Sequence, residues 1–206
     1  MKHKIVNRQE YLDFGKFYHI YNKAIGKELL FKTEYDYFFF LKKIDRFILP
    51  VAKIISYCLI PNHFHLLIYT RDEDEIKKNL RKKSFDSNRN PIIQSFSNFF
   101  NSYSKSYNKI QNRMGRLFVY PFKKILVDKD DYLISLICYI HRNPIHHGMV
   151  NDFSKWKYSS YNAFITNKPT KVEREFVIGL FGSLNDFIVF HNENKIKPGI
   201  DSYIFE

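Results

Sequence analysis

At 206 residues, 45% of them apolar, the chain is long enough for one well-buried domain with a modest appendage, and too apolar to be disordered. No apolar run approaches the roughly 18 residues of a membrane span, and Met1-Lys2-His3-Lys4 is not followed by a stretch resembling a secretory signal, so the reading is a soluble, unexported, cytoplasmic protein without membrane contact. Two cysteines, Cys58 and Cys138, argue against a disulfide framework or an all-thiolate zinc site, while 33 Lys and Arg against 21 Asp and Glu leave a formal charge of +12, a field that puts a polyanion first among partners.

Phe17 to Tyr21 is aromatic and β-favouring and predicts a first strand, ending at Asn22 in a loop through Gly26. Thr33-Glu34-Tyr35-Asp36 has the form of a capping box, and Tyr37, Phe40, Leu41, Ile44, Phe47 and Ile48 follow at helical spacing until Pro50. Lys53 to Leu59 and His63 to Tyr69 read as two antiparallel strands joined by a tight turn at Pro61-Asn62. Residues 71–90 are polar and carry the basic cluster Arg81-Lys82-Lys83. Pro91 suits the first residue of a second helix running to about Asn108. Leu117 to Val127 looks extended, and Asp130-Asp131 open a third helix predicted to stop at Pro144. In the tail, Ser183-Leu184-Asn185-Asp186 is a further capping box ahead of Phe187, Ile188 and Phe190. This order predicts an α+β fold, an antiparallel sheet with helices packed mainly on one face, close to a split β-α-β arrangement, plus a C-terminal helical extension.

Residues two apart on a strand share a face, so His63 and His65 project together while Phe64, Leu66 and Ile68 point into the core. A lone His-x-His is more often an ordinary pair than a metal site, and context has to decide. The third helix supplies context: Tyr132, Ser135, Tyr139 and Asn143 form a polar stripe opposite Leu133, Leu136, Ile137 and Ile140. From that stripe Tyr139 could attack a phosphodiester polarised by a nearby cation, and Asn143 could add an amide oxygen as a ligand. Taken alone, a tyrosine there is more often a half-buried packing residue. Arg81, Lys82, Lys83, Lys105, Lys109, Arg113, Arg116, Lys123 and Lys124 are the candidates for DNA phosphate contact. Within Phe99-Phe100-Asn101-Ser102-Tyr103-Ser104-Lys105-Ser106-Tyr107 the rings either stack on unpaired bases or fill the core. His141, His146 and His147 read as a helix-end surface cluster and stay outside the ligand set.

Four segments occur in order: Tyr18-His19-Ile20-Tyr21-Asn22-Lys23, then Tyr57 through Leu67 containing Pro61-Asn62-His63-Phe64-His65, then Gly115-Arg116-Leu117-Phe118, then Tyr139-Ile140-His141-Arg142-Asn143-Pro144. Together they resemble the single-tyrosine HUH transposase superfamily. With Trp156-Lys157-Tyr158-Ser159-Ser160-Tyr161 added, the chain most resembles the REP-associated tyrosine transposases. The resemblance implies a ferredoxin-like HUH catalytic domain over 1–166, with 167–206 as a helical extension packed on the core. It implies that His63 and His65 bind a divalent ion, Mg2+ or Mn2+, at the scissile phosphate of single-stranded or hairpin-associated DNA. Tyr139 then attacks to give a 5′-phosphotyrosine and a free 3′ hydroxyl, and Asn143 falls where some relatives carry a glutamine ligand. Imidazoles suit manganese or zinc better than magnesium, so the ion's identity comes from the resemblance alone. The resemblance also allows a homodimer with shared active sites. Two other readings stand beside it: a non-catalytic DNA-binding regulator that keeps the fold, and a zinc hydrolase, which would need a third strong ligand.

Overall fold

The structure, a computed structural model, describes residues 12–86 and 89–193; the Met1-Lys2-His3-Lys4 start and the tail after 193 lie outside the described residues. Strands β1 (Phe17–Lys23), β2 (Ala52–Ile60), β3 (His63–Thr70) and β4 (Lys123–Val127) form one sheet in the order β2-β3-β1-β4, each neighbouring pair antiparallel. Helix α1 (Glu34–Phe47) links β1 to β2, while α2 (Glu73–Leu80) and α3 (Pro91–Ile110) link β3 to β4. This is the ferredoxin-like split β-α-β arrangement, an α+β fold.

Local chemistry sets the ends of these elements. Asp36 accepts the backbone N–H groups of Lys32 and Thr33 at 2.9 and 2.8 Å, closing the start of α1, and Asn90 Oδ1 accepts those of Ile92 and Ile93 at 3.0 Å each at the start of α3. Phe40 from α1 packs edge-on against Phe99 and Tyr103 of α3, with ring centroids 4.9 and 5.0 Å away, and meets Phe64 of β3 at 5.0 Å. Phe99, Tyr103 and Tyr107 therefore fill the core and do not stack on bases. The two hydroxyls donate to the Leu30 and Leu29 carbonyls at 2.6 Å each, which removes the cost of burying them.

Three boundaries differ from the sequence reading, each for a physical reason. α2 buries Ile76 fully and Leu80 in part and is braced by Arg71–Glu75 and Lys77–Glu73 ion pairs, so it offers a single apolar i,i+4 pair to detect. Of the stretch 117–127 only Lys123–Val127 pairs as a strand, because Pro121 has no N–H for a ladder. Leu117 and Phe118 are buried by a separate bridge from Phe118 to Ala24. Helix α4 (Asp130–His146) runs through Pro144, whose place in the last turn sacrifices one hydrogen bond, and the His147 N–H bonds to the Asn143 carbonyl beyond it.

Whereas α1 and α3 cover the Phe64 face, α4 lies on the opposite face, where Tyr139 meets His65. It is buried on several sides because the tail packs over it through α5 (Tyr161–Phe164), α6 (Arg174–Phe181) and α7 (Leu184–Asn192). Cys58 and Cys138 are both buried thiols, and burial pushes the Cys138 pKa up to about 12. Among the described residues no helix is long and apolar enough to cross a membrane.

A chain of buried hydrogen bonds ties the tail to α4. His191 Nδ1 donates to the Phe187 carbonyl at 2.7 Å, so its Nε2 accepts from His141 Nδ1 at 2.9 Å, and His141 Nε2 accepts from the Ser160 hydroxyl at 2.8 Å. The link between the rings requires a neutral His191, and the link from Ser160 requires a neutral His141. Burial pushes both imidazoles down, His191 to about 4 with the Arg142 charge adding to the effect, and His141 well below its ordinary value with His191 adding. The unfolded chain takes up protons at these rings below about pH 6.5 while the folded chain resists, so the stability they confer is complete above that pH and is lost toward pH 4. Urea denaturation between about pH 7 and pH 4.5 should show the native state losing about 2 kcal/mol through His191, with a shallower slope in His191→Gln. A wild-type profile flat across this window would contradict the assignment.

Candidate active site

Period-two alternation places His19, Tyr21 and Lys23 of β1 on the same face as His63 and His65 of β3, and the register sets Tyr21 opposite His65 and Lys23 opposite His63. Lys123 of β4 sits opposite Tyr21 on the other side. The His63 and His65 rings are perpendicular, with centroids 5.1 Å apart. Over them runs α4. Tyr139 stands edge-on to His65 at 5.9 Å, and His147, two turns along the same stripe, stands against His63 at 4.7 Å. Asn143 lies midway between those two contacts on that stripe and is fully buried. The structure thus brings His63, His65, Tyr139 and Asn143 to one place, none more than 7% exposed.

The donor set fits a divalent ion. His63 Nδ1 bonds Asn62 Oδ1 at 2.9 Å and His65 Nδ1 bonds His19 Nε2 at 2.9 Å, so in both rings Nδ1 is committed and any ligation would fall to Nε2. Partners on the second nitrogen are what orient metal-binding imidazoles. Among the described residues no group of three His, Cys, Asp or Glu could hold a metal, so coordination beyond the two imidazoles would draw on the Asn143 amide, water or substrate oxygens. Two nitrogen donors with oxygen donors match Mn2+ better than Mg2+.

Several residues of this face carried no role in the sequence reading. His19 is fully buried, stacks between Tyr21 and His65, and is held neutral by burial and then by the neighbouring His65. Alternation within β1 groups it with Tyr21, but only the pairing with β3 puts it on the face of the His pair. His141 and His147 are corrections to the reading as surface decoration: His141 is fully buried and His147 is half-buried against His63, whereas His146 is exposed, 5.3 Å from Tyr139. Because α4 continues past Pro144, position 147 falls on the Tyr139 stripe, and a stop at Pro144 hid that. His141 belongs to the tail-docking chain and faces away from the metal candidates.

The basic candidates divide between the two ends of the sheet. Arg116 and Lys123 lie at the His63 end, where the Val119 N–H bonds the Lys23 carbonyl and the Ile25 N–H bonds the Leu117 carbonyl. Exposed Lys105 and Lys109 lie on the outer side of α3, whose last turns reach the same end. Arg116 also sits 5.7 Å over the ring of Tyr120, which is 79% exposed. A cavity of about 390 Å³ lined by Lys23, Lys27, Asn62 and Val119 opens at the same end of the sheet. Arg113, half-buried, is engaged by its own chain, paired with Glu28 and donating to Asn108 and the Arg116 carbonyl. Lys124 projects from the other face of β4 over Phe122. Arg81, Lys82 and Lys83 follow α2, which Asn79 fastens to the Pro50 carbonyl at the opposite end of β3, about 25 Å away at strand rise.

No family model matches the sequence, and no curated protein matches it. A solved structure of a REP-associated tyrosine transposase bound to a REP hairpin superposes with a TM-score of 0.56 at 16% sequence identity, over 78% of this chain and 87% of that one. The chain has the fold of that transposase.

Proposed function

We propose that this protein is a single-tyrosine HUH transposase, similar to the REP-associated kind, that cleaves and rejoins single-stranded DNA next to a hairpin. The observation that carries the reading is the stripe of α4 lying over the His pair, with Tyr139 against His65 and His147 against His63. A bound Mg2+ or Mn2+ would draw charge from the scissile phosphate and lower the barrier to attack. His63 and His65 would hold that ion, and Asn143, between the two contacts, would contribute an oxygen. Tyr139 Oη forms a bond to phosphorus and gives up its proton as the bond from phosphorus to the 3′ oxygen breaks and that oxygen takes up a proton. The resulting phosphotyrosine retains the energy of the broken linkage, so a 3′ hydroxyl reverses the step without a nucleotide cofactor. The strand enters from the half-exposed His147 side, because His65 is sealed.

In this reading residues 1–166 make the catalytic unit, and the helices after it hold α4 in place. DNA phosphates follow Lys123, Arg116 and Lys109 at the His63 end, joined by Lys23 and Lys27. Arg81, Lys82 and Lys83 are reached only by a hairpin stem running the length of the sheet.

Incubation with a single-stranded oligonucleotide carrying a hairpin, in Mn2+, should give a covalent adduct that survives denaturing electrophoresis. Tyr139→Phe and chelation abolish it, whereas Tyr120→Phe, which removes the exposed phenol nearest in the basic segment, leaves it intact. An adduct retained in Tyr139→Phe sinks the assignment, and tight hairpin binding without any adduct points to a non-catalytic regulator. Lys123→Ala should weaken binding to short single strands and hairpins alike and lower the salt slope by about 1. Lys82→Ala should weaken hairpin binding only; an equal loss on short single strands would contradict the placement of the stem.

A further inference from the structure

Of the two imidazoles proposed to hold the ion, one is anchored by an exposed amide and the other by something less ordinary. His63 donates from Nδ1 to Asn62, at the tip of the β2–β3 turn. His65 is fully buried, and its Nδ1 faces the Nε2 of a second fully buried ring, His19, at 2.9 Å. The two rings are stacked, 5.1 Å between centroids and 19° between planes, with Tyr21 against both. The other nitrogen of His19, Nδ1, is buried without a hydrogen-bond partner.

That last fact separates a packing role from a positioning one. A neutral imidazole carries one proton. For His65 to present an Nε2 lone pair to a cation, its proton must sit on Nδ1 and be donated to His19 Nε2. The His19 proton then sits on its own Nδ1, a buried N–H with nothing to receive it. Buried donors without acceptors are rare because they are costly, and each needs a reason. An apolar ring at position 19 would avoid that cost and still stack on Tyr21. What only an acceptor there supplies is the tautomer of His65.

We propose that His19 is a positioning residue for the metal site, accepting the Nδ1 proton of His65 and so fixing the tautomer and ring plane in which His65 Nε2 faces the ion. The inference rests on the reading of His63 and His65 as ligands. It assigns to β1 a part in the site through the one residue of the Tyr18-His19-Ile20 segment that faces the His pair.

Geometry supplies a discriminating pair of substitutions: a Gln side chain can place an oxygen where Nε2 of His19 lies, while Asn can place one only near Nδ1. Mn2+ binding to the full-length protein without DNA, followed by electron paramagnetic resonance, should fall roughly ten- to hundred-fold in His19→Asn and His19→Phe, and stay within about threefold of wild type in His19→Gln. Long-range proton–nitrogen spectra of the wild-type protein loaded with diamagnetic Zn2+ should place the proton of His65 on Nδ1, a result independent of any variant's folding. Wild-type affinity in both His19→Asn and His19→Phe, or a His65 proton on Nε2 in the loaded protein, overturns the role of His19 alone. Mn2+ binding unchanged in His63→Ala, or absent in wild type, overturns the ligand reading and this inference with it.

Discussion

Antiparallel pairing of β1 with β3 is the constraint on which the site depends. In the observed register Tyr21 lies beside His65 and Lys23 beside His63, so His19, Tyr21, Lys23 and both candidate ligands share a face. A slip of one residue would send the β1 side chains to the Phe64 face, where Phe40, Phe100 and Phe118 leave no room for them. The aromatic core on that side therefore specifies the chemistry on the other. The central strands β1 and β3 hold the polar cluster, and the hydrogen-bonded ladder gives it a rigid floor.

The roof is α4, and it is fixed from behind. The stripe Tyr139, Asn143, His147 looks down on the strands, while His141, on another side of the same helix, is tied through His191 and Ser160 to the tail and, by the bond from the Tyr57 N–H to Ser160 Oγ, to β2. A nucleophile on a helix is useful only if the helix keeps its rotation about its axis, and a buried three-residue chain of neutral donors and acceptors sets that rotation more sharply than apolar contacts alone. The tail thus contributes to the site without reaching it.

Much of this arrangement was legible in the sequence because the signals are local. The Thr33–Asp36 capping box, the Pro61-Asn62 turn, Pro91 after Asn90, and the alternation from His63 to Ile68 each state their structure within a few residues, and the structure follows them. What stayed hidden depended on distant partners. α2 is held by Ile76 and Leu80 against the core, a pair too short to register as a helical period, and Pro144 reads as a stop although the last turn of α4 survives without its bond. That misreading concealed His147. The role of His19 needed the β1–β3 register, and Tyr103 and Tyr107 needed the carbonyls of Leu30 and Leu29, before core packing could be chosen over base stacking for that aromatic run.

The central claim is that Tyr139, held over the His63–His65 pair, becomes bonded to DNA. Proteolysis of the protein–DNA product followed by mass spectrometry identifies the modified side chain and the polarity of the linkage in one measurement. The account predicts a nucleotide attached through its 5′ phosphate to the peptide at Tyr139, together with a released strand ending in a 3′ hydroxyl. Attachment at Tyr21, Tyr120 or Tyr132, or a 3′-phosphate linkage, would contradict it.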